Sequence, residues 1–294
     1  MPSPEEARPY DPGVTGDVPV VDRDRLAAVL LAEGADAGRG PKVFAGVNAV
    51  AETGSTNADL AAVARTVTPG GDERPGPRLL VADHQTAGRG RRGRGWSADP
   101  GTSQAISVLW WPTRTDRWSW LPLLTGLAVC DAVRAVGVPA GLKWPNDVVV
   151  PDSDGTTGKL AGLLAERAET PAGPACVLGI GLNTTADRDQ LPVPTATSLA
   201  LAGAAPFDVT AVVIDLVSRL VGLLQAWQSG TADHLLAERY ADRSSTLGRR
   251  VRADLGTERI EGEAVRIDAD GGLVLQVGGR ERTVVAGDVV HLRW

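Results

Sequence analysis

Apolar residues recur with helical spacing in some stretches of this chain and with alternating spacing in others. Residues 22–31 (DRDRLAAVLL) predict a short helix with Asp22 as its N-cap. Residues 42–50 predict a strand, and Ser55 or Thr56 can cap a helix running to about Arg65. Residues 66–77 are rich in Pro and Gly and read as a surface loop. Residues 79–82 and 105–111 read as strands on either side of an Arg/Gly segment. Residues 119–136 form a long apolar-periodic run that Gly137 stops, which predicts a helix. Residues 141–150 hold a turn between apolar flanks, and residues 160–166 and 177–183 are Gly-broken apolar runs closer to strand than helix. Residues 208–228 and 232–240 predict two more helices.

From Thr246 the pattern changes to short β-like runs (RRVRADL, IEGEAVRI, GLVLQV, RTVVAGDVVHLRW) separated by Gly and Asp. Turn signals about every 8–12 residues suit a small barrel. The chain therefore divides near Ser244. Residues 1–21 are Pro-rich and polar and predict a disordered tail, residues 22–244 an α/β (α+β) domain of mixed strands and helices, and residues 245–294 a small β domain.

Composition narrows the class. A chain of 294 residues with 43% hydrophobic residues is globular, and no run of about 18 uncharged apolar residues predicts a membrane span. The N-terminus lacks the basic and apolar regions of a secretion signal. Cys130 and Cys176 lie far apart in apolar contexts and read as buried free thiols of a reducing cytoplasm. His84, His234 and His291 are scattered, so no zinc-type cluster is expected. A net charge of −6 argues against a general nucleic-acid binder.

Against that charge stands residues 87–96, AGRGRRGRGW, with Arg89, Arg91, Arg92 and Arg94 set among glycines. Arginine forks suit phosphates and carboxylates, and glycine lets a backbone approach a ligand closely. The spacing formally matches the dinucleotide fingerprint GxGxxG, but that fingerprint needs a helix next, and here turn formers and then a strand follow. A basic loop on an otherwise acidic molecule can also be merely solvated, or serve nucleic acid as Gly-Arg tails do. The expectation is a mobile loop closing over a small anion.

Four more segments have both structural and functional readings. Gly54-Ser55-Thr56-Asn57 is a helix cap or a headgroup site at a helix N-terminus. His84-Gln85 ends a strand, where sites are commonly built. Lys143-Trp144-Pro145-Asn146-Asp147 is a Pro turn, or a Lys and an Asp framing phosphate and Mg²⁺. Gly158-Lys159-Leu160-Ala161-Gly162 places a Lys at the start of an apolar strand with space above Gly162, which alone reads as a surface charge.

Taken in order, GSTN, Q-x-x-GRGRRGRxW, KWPND, GKLAG and GIGLN resemble the catalytic domain of biotin protein ligases, from about Val47 to Asn183 by motif and to the C-terminus by layout. The resemblance implies a mixed sheet backed by helices, related to class II aminoacyl-tRNA synthetase cores, plus a C-terminal SH3-like barrel. It implies ATP-dependent activation of biotin to biotinyl-5′-AMP, with Mg²⁺, and transfer to a lysine of a biotin carboxyl carrier domain. Lipoyl or octanoyl ligases share the fold and are the alternative.

By motif match, Ser55, Thr56, Asn57, Gln85, Gly88, Arg89, Gly90, Arg91 and Lys159 contact biotin, and Arg94, Trp96, Asn146 and Asn183 the nucleotide. Lys159, Arg91, Asp147 and Lys143 carry the chemistry, Asp147 also standing near Mg²⁺ or the incoming lysine. Gly54 stands where relatives commonly have Asp, with the hydroxyl pair behind it intact. About 46 residues precede the first core strand, which is short for the DNA-binding domain of repressor relatives, so a ligase without repressor function is expected. No nucleic-acid or membrane partner is expected.

Overall fold

The computed structural model describes residues 21–31, 44–68, 75–151 and 156–292. Most of the expected tail 1–21, the start of the strand expected at 42–50 and part of the loop 66–77 lie outside the described residues. Chain order in the larger domain is α1 (Arg23–Leu30), β1 (Gly46–Thr53), α2 (Thr56–Thr66), β2 (Arg78–Gln85), β3 (Ser103–Trp110), α3 (Trp120–Ala135), β4 (Gly141–Lys143), β5 (Asp147–Pro151), β6 (Thr157–Ala168), β7 (Ala175–Asn183), α4 (Val209–Ser229) and α5 (Asp233–Arg243). The smaller domain holds β8 (Arg250–Asp254), β9 (Arg259–Ile267), β10 (Leu273–Val277), β11 (Arg280–Val284) and β12 (Asp288–His291).

The first seven strands form one mixed sheet, ordered β1-β2-β3-β7-β6-β5-β4. Only β1 and β2 run parallel; the other pairs are antiparallel. One sheet face buries Leu79, Val81, Ile106, Val108, Leu178 and Ile180 with α3 and α4. The opposite face buries Leu80, Leu109 and Val177 beneath Leu60 and Ala64 of α2. Because α2 covers only part of that face, the neighbouring stretch of β6 and β7 stays open for a site.

Local signals explain the elements. Ser55 caps α2 by accepting from Ala58 N, and Asp22 and Asp208 cap α1 and α4 in the same way. Gly137 and Gly230 take φ +90° and +71° beyond the ends of α3 and α4. β1 begins at Gly46 and runs to Thr53, past the expected end at Val50, because its parallel pairing with β2 continues to Thr53 opposite Gln85. The turn flanks at 141–150 are a hairpin, β4 and β5. α4 is long and apolar enough to cross a membrane by length and composition. Its Leu216, Val217, Leu220 and Leu224 are buried in the core, with an Asp215–Arg219 ion pair on the outer side.

The smaller domain is a five-stranded antiparallel sheet, ordered β11-β10-β9-β8-β12. It docks tightly: Trp120 Nε1 donates to Ala269 O at 2.9 Å, and Trp144 Nε1 to Gly271 O at 3.0 Å. Ser245 N donates to Leu142 O at 2.8 Å. The Trp of the KWPND segment is thus a buried anchor for the second domain.

Candidate active site

The Arg/Gly segment folds back on itself. Trp96 N donates to Gly88 O at 2.9 Å and Gly90 N to Arg94 O at 2.6 Å, with a single 3₁₀ turn, Arg91–Gly93, at the tip. Irregular chain, a turn at residues 100–102 and then β3 follow, with no helix, so the dinucleotide geometry is absent here. Gly88 is required by close approach, since a Cβ there would lie 2.4 Å from Trp96 O. Arg92, at φ 55°, holds a left-handed conformation that non-glycine residues rarely adopt.

The loop lays the Trp96 indole flat on the open sheet. A Cβ on Gly181 would meet Trp96 Cε2 at 2.2 Å, and one on Gly162 would meet Trp96 Cζ3 at 2.9 Å. Gly179 does the same for Asn57, whose Oδ1 would be 2.3 Å from a Cβ. These glycines share a face because Gly162 pairs with Gly181 across β6 and β7, and residues 179 and 181 alternate to one side. Trp96 Nε1 is buried without a hydrogen-bond partner, a donor available to a ligand acceptor.

At one end of this floor α2 presents a buried polar network. Thr56 N donates to Gln85 Oε1 at 2.8 Å, and Thr56 Oγ1 lies 3.0 Å from the same oxygen. Ser107 Oγ stands 2.7 Å from Thr56 Oγ1 and 2.6 Å from Asn57 Oδ1. Asn57 Oδ1 can only accept, so Ser107 donates there and Thr56 donates to Ser107 or Gln85. Asn57 Nδ2 donates to Glu166 Oε2 at 2.7 Å, and Glu166 also faces Arg89 Nη2 at 3.4 Å. Ser55 serves as the cap; Thr56 and Asn57 turn inward.

At the other end sit the charges. Lys159 Nζ lies 2.7 Å from Asp147 Oδ1, an ion pair whose carboxylate oxygen is buried and lacks a well-aligned hydrogen bond. The same ammonium stands 5.7 Å from the Trp96 ring centroid. Arg91 Nη1 donates to Asn146 Oδ1 at 3.0 Å, and Asn146 Nδ2 donates to Leu163 O at 3.0 Å. Burial lowers the pKa of Arg91, with Asp288 opposing that shift. Arg94 Nη2 pairs with Asp288 Oδ1 of β12 at 3.0 Å.

One cleft of about 130 Å³ therefore gathers Ser55, Thr56, Asn57, Gln85, Arg89, Gly90, Arg91, Arg94, Trp96, Asn146 and Lys159. Asp147 reaches it through Lys159, and Gly88 holds the loop's base. Lys143 and Asn183 lie elsewhere. Lys143 lines a second cleft. Asn183 is buried and its Nδ2 donates to Thr197 O at 2.9 Å, pinning the following segment. Sequence reasoning missed Ser107, Glu166 and Asp288; the Gly179/Gly181 alternation was a readable signal for the flat floor.

A flat sheet floor, a buried amide–hydroxyl network and a basic loop opposite a Lys–Asp pair define a small-ligand site equipped for anionic reactants. Two family models match: the biotin/lipoate A/B protein ligase family over residues 71–183, and the biotin protein ligase C-terminal domain over residues 246–292. The biotin–[acetyl-CoA-carboxylase] ligase of Mycobacterium tuberculosis is 44% identical over 257 residues, 84% of this chain and 89% of that protein. The chain belongs to the biotin protein ligase family. The bifunctional ligase/repressor BirA of Escherichia coli is 28% identical over 71% of this chain and 64% of its own length. Among solved structures, the Aquifex aeolicus biotin protein ligase in complex with biotin and ATP superposes with a TM-score of 0.70 at 25% identity, covering 85% of this chain and all of that one.

Proposed function

We propose that this chain activates biotin with ATP, forming biotinyl-5′-AMP and pyrophosphate, and then transfers biotin to a lysine of a biotin carboxyl carrier domain. The observation that carries this reading is the single cleft in which Lys159, paired with Asp147, and Arg91, held by Asn146, face a floor built for a flat ligand. Both reactants of the first step are anions, so positive charge fixed in the cleft lowers the barrier to their approach.

In this reading the Thr56–Asn57–Ser107 network and Gln85 take the polar ring of biotin, and Lys159 steadies its carboxylate. Arg91 and Arg94 face the α-phosphate, and Asn146 fixes the Arg91 fork. Asp147 orients the carrier amine in the second step and can accept its proton. The Arg/Gly loop with Trp96 excludes water from the mixed anhydride.

Among the described residues no cluster of three or more His, Cys, Asp or Glu could hold a metal. One carboxylate, Asp147, fits a Mg²⁺ carried mainly by the substrate phosphates. When bound, that ion supplies charge neutralisation at the phosphates.

The carrier of a biotin-dependent carboxylase is the partner in this proposal, because the 44% identical relative is named for acetyl-CoA carboxylase. A lipoyl or octanoyl ligase is not favoured, since that relative and the Aquifex aeolicus structure are both named for biotin. A cytoplasmic location is part of the same proposal: Cys130 and Cys176 are free and buried, and burial pushes both thiols up to about 12.

The test is incubation of the purified chain with biotin and Mg·ATP, then with a carrier domain. Biotinyl-AMP and a biotinylated lysine are expected; absence of the adenylate defeats the reading, and equal use of lipoate removes its specificity.

A further inference from the structure

Glu166 of β6 does not line the Trp96 cleft, yet it touches two residues that do, Asn57 and Arg89. Its Oε2 accepts from Asn57 Nδ2 at 2.7 Å, and its Oε1 stands 3.4 Å from Arg89 Nη2. Asn57 is buried against β7, where a Cβ on Gly179 would lie 2.3 Å from its Oδ1. Packed so closely, the Asn57 amide can change its contacts only by turning over.

Its neighbours decide which way that amide faces. Nδ2 meets two groups that only accept, the Glu166 carboxylate and Leu164 O at 3.4 Å. Glu166 is the shorter, charge-assisted contact of the two. Oδ1 is thereby turned to Ser107 Oγ at 2.6 Å, and the single Ser107 proton lies on that bond. Thr56 Oγ1 lies 2.7 Å from Ser107 Oγ and 3.0 Å from Gln85 Oε1, with one proton for the two contacts. Gln85 Oε1 already accepts from Thr56 N at 2.8 Å, and the shorter oxygen–oxygen contact is the more repulsive without a proton, so Thr56 donates to Ser107. The chain of hydrogen bonds runs one way, from Thr56 through Ser107 and Asn57 to the Glu166 carboxylate. At its cleft end the oxygens of Thr56 and Gln85 are left as acceptors.

We propose that Glu166 is a positioning residue: through Asn57 it sets the direction of this chain, so that the cleft selects a ligand ring presenting N–H donors. The role rests on the ligase reading above, in which that ring is the cyclic urea of biotin. Arg89 holds the other carboxylate oxygen from the base of the lid. A neutral amide in place of the carboxylate can donate as well as accept, which lets Asn57 turn over. Asn57 then donates to Ser107, Ser107 to Thr56, and Thr56 to Gln85. That reversal occupies the acceptors meant for the ligand and leaves its N–H groups unmatched, the mismatch by which a hydrogen-bonding site rejects a ligand.

The test is Glu166→Gln in the full chain, an isosteric change that leaves the packing in place. Biotin binding measured by calorimetry is expected to weaken about tenfold, the loss of one charge-assisted contact. In adenylate formation the KM for biotin should rise by the same factor, with kcat within about twofold and the KM for ATP unchanged, the mark of lost binding rather than lost chemistry. In an Asn57→Ala background Glu166→Gln should add no further loss of biotin affinity, because the carboxylate acts through that amide. Wild type should prefer biotin over a cyclic carbamate analogue with oxygen in place of a ring N–H, and Glu166→Gln should narrow that preference. Equal biotin affinity in wild type and Glu166→Gln, additive losses in the double variant, a fall in kcat at unchanged KM, or an undiminished preference each overturns the role. Adenylate formation by wild type is scored separately. Weaker biotin binding in Glu166→Gln without adenylate from wild type defeats the ligase reading and leaves the role of Glu166 standing; adenylate formation with unchanged biotin affinity does the reverse.

Discussion

Arg94 of the basic loop and Asp288 of β12 face each other at 3.0 Å, tying the lid of the site to the smaller domain. Arg92 adds contacts to Asp288 Oδ2 at 3.4 Å and to Asp254 O at 3.2 Å. The same carboxylate thus anchors two loop arginines on the far side from the floor. Arg94 can meet a phosphate only in competition with Asp288, which couples the two domains through the lid.

Loosening that anchor should show as loop exposure rather than as lost stability. The pairs are substantially exposed, with Arg94 63% accessible, so each adds little to the fold. Asp288→Asn is expected to leave the thermal midpoint nearly unchanged while speeding tryptic cleavage after Arg92 or Arg94 in the ligand-free protein. Biotin plus ATP should slow that cleavage again. A digestion rate equal to wild type would show that Asp288 does not hold the loop.

The Trp96 indole now fills much of the floor, leaving about 130 Å³, whereas small-ligand pockets measure roughly 300–1,000 Å³. Ligand entry therefore requires the loop to lift. Gly181→Ala places a methyl 2.2 Å from Trp96 Cε2, against a neighbour that can move only with the whole loop. Overpacking of this kind costs about 1–3 kcal/mol. Adenylate formation should fall at least tenfold with the fold intact by circular dichroism, and the double variant with Trp96→Ala should bind biotin better than Gly181→Ala alone. Full activity in Gly181→Ala would refute the flat-floor geometry.

How far the chain was legible follows from what each feature depends on. α3 and α4 could be read because their apolar spacing runs for many turns and ends at Gly137 and Gly230. The cleft residues could be read because they cluster in short motifs. Ser107, Glu166 and Asp288 could not, since sheet register brings Ser107 opposite Gly179, and domain docking brings Asp288 to a loop 194 residues earlier. Lys143 and Asn183 belong to readable motifs, yet the β4 edge and the Thr197 carbonyl direct them away from the first cleft. Motif membership carries no information on their neighbours; the third dimension assigns those.

Arg91 offers the sharpest test of the loop as a catalytic element. Its guanidinium is half-buried and held by Asn146 at 3.0 Å, so Arg91→Ala removes a fixed charge from the cleft. Charge-assisted contacts of this kind contribute about 1.5–3 kcal/mol, which corresponds to about a 10–100-fold rise in the biotin or ATP requirement. Arg91→Lys should rescue little, because the fork to Asn146 is lost. Initial rates of biotinyl-AMP formation against each substrate measure this, and unchanged kinetics would remove Arg91 from the site.

His291 makes the junction between the domains sensitive to acid. Thr246 Oγ1 accepts from Trp144 N at 3.1 Å and also lies 3.1 Å from His291 Nε2, which is donor or acceptor according to its tautomer. Burial, then Lys143 and Arg249, lower its pKa to about 4, against about 6.5 in an unfolded chain. Between those values the unfolded state holds the extra proton, so stability rises with pH across that window. It falls as pH drops from about 6.5 to about 4 and levels off below. The contribution at stake is at most about 3 kcal/mol. Thermal midpoints from pH 7 to pH 4.5 should therefore decline more steeply in wild type than in His291→Gln, whose amide can pair with Thr246 without titrating. Parallel curves for the two proteins would place the acid sensitivity in other groups.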